Sequence, residues 1–201
     1  MKYIAKEEIN TYIEKNSKFI SICFPVVSLE DFLKKLKEVK ETYKSATHYT
    51  FALRILTERG TLYEKFSDDK EPYGTAGIPM LKILKSNSLV NSAVVTVRYF
   101  GGVKLGKGNL LRAYMDAINL VLRDATFEDL VRKVEYSIEL SYKEYKSLSY
   151  IFEKREVEVI SKEFGETVKI TLRISESDEG SIISKFEALP CIKVQKFFHP
   201  S

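Results

Sequence analysis

The chain has 201 residues, 44% of them hydrophobic and 30% charged, with a formal net charge of +4. That composition describes a globular protein rather than a disordered or membrane one. No run approaches the roughly 18 apolar residues of a spanning helix, and the charged N-terminus has no apolar core of signal-peptide length, so the chain is expected in the cytoplasm, away from membranes. Two cysteines far apart in sequence, Cys23 and Cys191, read as buried free thiols. With two histidines and no Cys-x-x-Cys, a structural zinc site has little to be built from, and neither metal nor cofactor is expected.

Residues 1–16 are polar with spaced Ile and Tyr and are compatible with an edge strand, a short helix or an arm. Residues 18–27 have the β-branched and aromatic richness of a strand, with Pro25 suggesting an edge or a late bulge. Ser28 and Asp31 then form an N-cap and capping-box pair for an amphipathic helix over 29–43. Strands follow at 47–55 and 62–66 around a turn at Gly60, and a loop at 67–77 leads to a helix over 78–85. The strand 93–100 is apolar enough to be central. After a loop at 101–108, Asn109 is placed to cap a helix running to about Asp124. The boundary region 125–132 separates a first domain, 1–130, from a second, 133–201. The second reads βαββαβ, with strands at 134–141, 155–163, 167–174 and 191–198 and helices at 142–153 and 178–188; this is the ferredoxin-like arrangement of an α+β protein.

Charge is uneven. Residues 1–132 carry 21 Lys and Arg against 16 Asp and Glu, whereas 133–201 carry 11 against 12. Within the first part, Ser67 to Asp116 holds six of the nine glycines, opens on Asp68, Asp69 and Glu71, and then has no acid from Pro72 to Met115 while Lys82, Lys85, Arg98, Lys104, Lys107 and Arg112 fall inside. A glycine-rich cationic segment of this kind reads as an anion site. Gly101 to Gly108, GGVKLGKG, fits G-x-x-x-x-G-K between a strand and a helix, but Gly108 stands where a P-loop needs a hydroxyl for magnesium. What remains is bare backbone N–H groups, a helix start and two lysines, or simply a tight turn. Gly74 and Thr75 begin a second such nest. Arg98, on an apolar strand, needs either a ligand or an acid such as Asp116. His48 reads as a hydrogen-bonded strand residue, and the acids as magnesium ligands, a general base or partners for the basic stretch.

Taken together, Ala46-x-His48, SDD-x-EP at 67–72, GTAG-x-P at 74–79 and RYFGG-x-KLG-x-G-x-L-x-RAY at 98–114 resemble the YigZ/IMPACT family. The resemblance implies a first domain similar to the second domain of ribosomal protein S5 and a ferredoxin-like second domain, both associated with RNA or ribosome contact. For eukaryotic members it implies translational regulation through the activator of an initiation-factor kinase, by proteins that carry an additional N-terminal RWD domain. The chain departs from the family pattern at Lys70 and Asn109, where glycine is common. Three functions follow. One is a non-enzymatic protein of the translation apparatus that binds RNA, another polyanion or a ribosome-associated factor through Arg98, Lys104, Lys107, Arg112, the amides of Gly74, Thr75, Gly101 and Gly102, and stacking on Tyr99 or Phe100. Another is an enzyme acting on a small-molecule phosphate with His48, Asp68, Asp69 and Glu71 as acid, base or metal ligands. A pure protein-interaction module is the third.

Overall fold

The structure, a computed structural model, describes residues 1–57, 60–131, 133–153, 157–188 and 193–197. Cys191, and the starts of the strands expected at 155 and 191, lie outside the described residues. The protein is α+β and divides into two compact units, Met1–Leu130 and Val131–Ser201.

In the first unit the polar N-terminus forms two strands, β1 (Lys2–Ile4) and β2 (Glu8–Glu14). The chain reverses at Lys15 and Asn16, both at positive φ, as a two-residue hairpin with the right-handed strand twist requires, and returns as β3 (Ser17–Pro25). Helix α1 (Leu29–Thr42) starts at Ser28, whose hydroxyl accepts from the Asp31 amide. Strands β4 (His48–Leu56) and β5 (Leu62–Ser67), helix α2 (Gly77–Ser86), strand β6 (Ser92–Tyr99), helix α3 (Lys107–Asp124) and the short β7 (Phe127–Asp129) follow.

The sheet runs β2-β3-β6-β4-β5, antiparallel throughout. Strict alternation divides its two faces. Ile20, Ile22, Leu53, Val95 and Val97 pack with Phe32, Leu36 and Val39 of α1, while Cys23, Ala52 and Val94 pack with Met80 and Leu84 of α2 and Ile118 and Val121 of α3. Burial pushes the Cys23 thiol up to about 12, so it behaves as a small apolar side chain. Strand β3 is interior, which corrects the edge suggested by Pro25. Its pairing with β2 ends at Cys23, so the ring that lacks an N–H lies beyond the last β2 residue. Asn109 does not cap α3. The helix begins at Lys107 after Gly106, whose φ of 77° turns the chain earlier, and the Asn109 side-chain amide donates to the Leu105 carbonyl.

The second unit contains β8 (Lys133–Leu140), α4 (Tyr142–Phe152), β9 (Val157–Phe164), β10 (Val168–Ser175), α5 (Glu179–Glu187) and β11 (Lys193–Phe197). Its sheet order, β11-β8-β10-β9 and antiparallel, is the ferredoxin-like one. Ile138, Leu140, Ile170 and Leu172 bury one sheet face against Ile151, Phe152, Ile183 and Phe186 of its helices.

Two glycines of the central segment have opposite reasons to be there. A Cβ on Gly101 would stand 2.1 to 2.4 Å from backbone atoms of Asn16 and Ser17, whereas one on Gly108, in the first turn of α3, would meet nothing within 4 Å. Gly101→Ala is therefore expected to destabilise by about 3 kcal/mol or more through forced separation of β6 from the hairpin. Gly108→Ala is expected to be neutral or stabilising by up to about 1 kcal/mol, both read by urea unfolding.

Candidate functional site

Helices α2 and α3 both begin at the end of the sheet where β6 finishes. The two glycine-rich starts are unlike. At α2, Oδ2 of Asp68 accepts from the Gly74 amide at 2.9 Å, and Oδ1 accepts from those of Ala76 and Gly77 at 3.0 and 2.8 Å. The loop and helix start thus hold a carboxylate of the protein itself. Thr75, fully buried, donates its hydroxyl to the Pro72 carbonyl. The reading of Gly74 and Thr75 as a cradle for an outside anion is corrected by this geometry, because the donors are already taken. Asp69 is engaged likewise: its carboxylate accepts from the Tyr49 amide at 2.6 Å and its carbonyl faces Nδ1 of His48 at 2.7 Å.

Beneath these loops lies a buried polar cluster. Glu71, its side chain 3% exposed, accepts from Nη1 of Arg98 at 2.7 Å and from the Tyr114 hydroxyl at 2.8 Å, both on Oε1, with Nε2 of His48 at 3.6 Å. Nη2 of Arg98 donates to the Ser17 hydroxyl at 3.3 Å, which in turn accepts from the Gly101 amide at 3.2 Å. The guanidinium also lies over the rings of Phe19 and Phe100, 5.2 and 5.6 Å from their centroids. Among the described residues, Arg98 Nε is the buried side-chain nitrogen that finds no hydrogen-bond partner. Arg98 is thus half of an internal ion pair, with Glu71 and not Asp116, and is not available to a ligand on the surface.

The structure therefore brings His48, Asp68, Asp69 and Glu71 together, as a brace. Nδ1 of His48 faces the Asp69 carbonyl and Nε2 turns to Glu71, so both nitrogens face inward. Among the described residues no group of three or more His, Cys, Asp or Glu is placed to hold a metal ion, and no helix is long and apolar enough to cross a membrane. Ser17 and Tyr114 were missed by sequence reasoning. Tyr114 had a signal, since it lies on the buried stripe of α3 with Leu110 and Ile118, where a hydroxyl needs a partner. Ser17 had none.

At α3 the arrangement is open. Gly106 provides no side-chain cap and the first turn has no acid. Gly102, Lys104, Lys107 and Arg112 are exposed, and among the described residues the three cations form no ion pair. Of the two aromatic residues, Tyr99 is half-buried on the α1 side and donates to the Lys44 carbonyl at 3.2 Å, whereas Phe100 is 45% exposed.

The profile of the Impact N-terminal domain matches residues 15–122, more than half the chain, and covers this whole cluster. The chain belongs to the IMPACT family. A second profile, a domain of unknown function (DUF1949), matches residues 138–189. An IMPACT family member of Thermus thermophilus is 34% identical over 181 residues, which is 90% of this chain and 92% of that protein. One from Haemophilus influenzae is 33% identical over 162 residues, 81% of this chain and 79% of its own length. The IMPACT family member YigZ of Escherichia coli is 28% identical over 183 residues, 91% of this chain and 82% of YigZ. A crystal structure of a hypothetical protein superposes with a TM-score of 0.68 over 96% of this chain and 95% of its own, at 23% identity, a likeness of fold.

Removing one partner of the buried pair leaves the other charge uncompensated. Glu71→Ala is expected to cost about 3–5 kcal/mol in urea unfolding. Burial, and then the Glu71 carboxylate, push the Tyr114 phenol well above its ordinary value of about 10. With the folded pKa raised, the phenol stays protonated in the fold while it ionises in the unfolded chain, so its contribution is complete below about pH 10 and is lost as pH rises beyond. Tyr114→Phe is expected to show a shallower decline of stability above pH 10 than the parent.

Proposed function

We propose that this chain is a translation-associated binding protein, and that the start of α3 holds phosphates of single-stranded RNA. The contrast between the two helix starts carries the reading. An 18-residue helix begins with free amides, no capping side chain and no acid, beside Lys104, Lys107 and Arg112, whereas the neighbouring start is filled by Asp68. Gly108 adds to this. It is helical, costs about 1 kcal/mol relative to alanine, and has no neighbour that a Cβ would strike, so its use is to leave backbone open to close approach from outside. The translational setting rests on membership of the IMPACT family, and the RNA itself on the chemistry of the site. An enzymatic role for His48, Asp68, Asp69 and Glu71 is disfavoured because hydrogen bonds within the fold already engage all four.

With Arg98 buried, three cations remain for phosphate contact at this start. Fluorescence anisotropy of a labelled single-stranded RNA between 50 and 200 mM salt is expected to give a log–log slope steeper by about 2 for the parent than for Lys104→Ala/Lys107→Ala/Arg112→Ala. Equal affinity and slope in the two proteins would overturn the proposal.

A further inference from the structure

The end of the sheet holds more than the glycine loops. Direct hydrogen bonds gather the β2–β3 hairpin and the stretch from Lys44 to His48 at the last residues of β6, and the loop after β5 joins them through His48. The Gly101 amide donates to Ser17 beside the β2–β3 turn, and Tyr99 pairs in register with Lys18. The Tyr99 hydroxyl donates to the Lys44 carbonyl. The Thr47 amide donates to the Arg98 carbonyl, and the Thr47 hydroxyl accepts from the Phe100 amide. The Asp69 carbonyl, next to Lys70, bonds His48 at the start of β4, whose neighbour across the sheet is Arg98. Lys15, Lys18, Lys44 and Lys70 are thereby brought to the same end as Lys104, Lys107 and Arg112, although the first three lie more than 50 residues earlier in the chain than Arg98.

All seven are exposed, and among the described residues none has an ion-pair partner. The acids that would neutralise them face elsewhere. Asp68 caps α2, Asp69 binds the Tyr49 amide and Glu71 is buried on Arg98. Glu14, beside the hairpin turn, and Asp116, on α3, both lie by the Tyr12 hydroxyl. In the middle of this rim stands Phe100, its ring exposed on one side and backed by the Arg98 guanidinium. Five strands at ~4.8 Å spacing make the rim about 19 Å wide, within the range of single-strand sites, which hold about 4–16 nucleotides.

We infer that the phosphate site at α3 continues across the end of the sheet to the β2–β3 hairpin. In this inference, which rests on the RNA reading above, Lys70, Lys44, Lys18 and Lys15 contact further phosphates of the same strand, and Phe100 stacks one of its bases. An aromatic face open to stacking distinguishes the ligand from a base-paired duplex or a base-free polyanion, neither of which offers an unpaired base.

The test is anisotropy of labelled oligouridylate over the same salt range. Seven contacts predict a parent slope of about −5, and the α3 cations alone about −2. Lys15→Asn/Lys18→Ala/Lys44→Ala is expected to lower the steepness by about 2; asparagine keeps a residue suited to the positive φ of the turn. Phe100→Ala is expected to bind about tenfold more weakly. Because the chain has no tryptophan, Phe100→Trp introduces a single indole whose fluorescence RNA is expected to quench and heparin is not. A parent slope near −2, an unchanged slope in the hairpin variant, or an indole that RNA does not quench each overturns this inference. If the Lys104/Lys107/Arg112 variant still loses its slope, the reading of α3 survives. If that variant binds as the parent does, both fall.

Discussion

The Glu71–Arg98 ion pair is the contact on which the central region depends. One carboxylate oxygen joins the loop after β5, the end of β6 and the second turn of α3, through Arg98 and Tyr114. Ser17 extends the network to the hairpin. An isolated charge at such depth would cost several kcal/mol, so each member is tolerable only because the others are present. That interdependence fixes two glycine-rich loops that have little apolar surface of their own. Helix α3 supplies most of the apolar packing there, Leu110 and Tyr114 closing over Phe19 together with Ala76 and Leu105 from the ends of the two loops.

This brace also explains why the acids that open the segment do not neutralise the cations beside and after them. Asp68, Asp69 and Glu71 turn inward, each to a donor within the fold, while the lysines around them remain in solvent. A segment already rich in cations thereby presents a surface more cationic than its composition alone would give. The sorting follows from side-chain length: a short carboxylate reaches backbone amides in a tight loop, whereas a lysine stem carries its charge outward.

Much of the fold was legible in sequence because it follows local rules. The capped helix after Ser28, the apolar β6 and the βαββαβ order of the second unit declare themselves by periodicity and caps. The glycine-rich segment was legible as unusual. What each of its residues does was not, since Gly74 and Gly106 both precede a helix at positive φ and only the structure reveals that Asp68 fills one start while, among the described residues, no side chain caps the other. The partner of Arg98 was equally out of reach, because Glu71 lies 27 residues away on a loop whose path no periodicity specifies. Lys70 is a smaller case of the same kind: its φ of 69° lies in the left-handed region that favours glycine, which no periodicity announces.

The first unit is closed by its own ends. Strand β1 pairs with β7, Lys2 opposite Asp129 and Ile4 opposite Phe127, and the Leu130 amide donates to the Met1 carbonyl. The chain thus leaves this unit where it entered. A module with that property can be spliced into a surface loop of another protein, or given new termini elsewhere, without stretching its core. It also transmits little strain from whatever is attached beyond residue 130, because tension between the two ends is borne by a three-residue zipper before it reaches the five-stranded sheet.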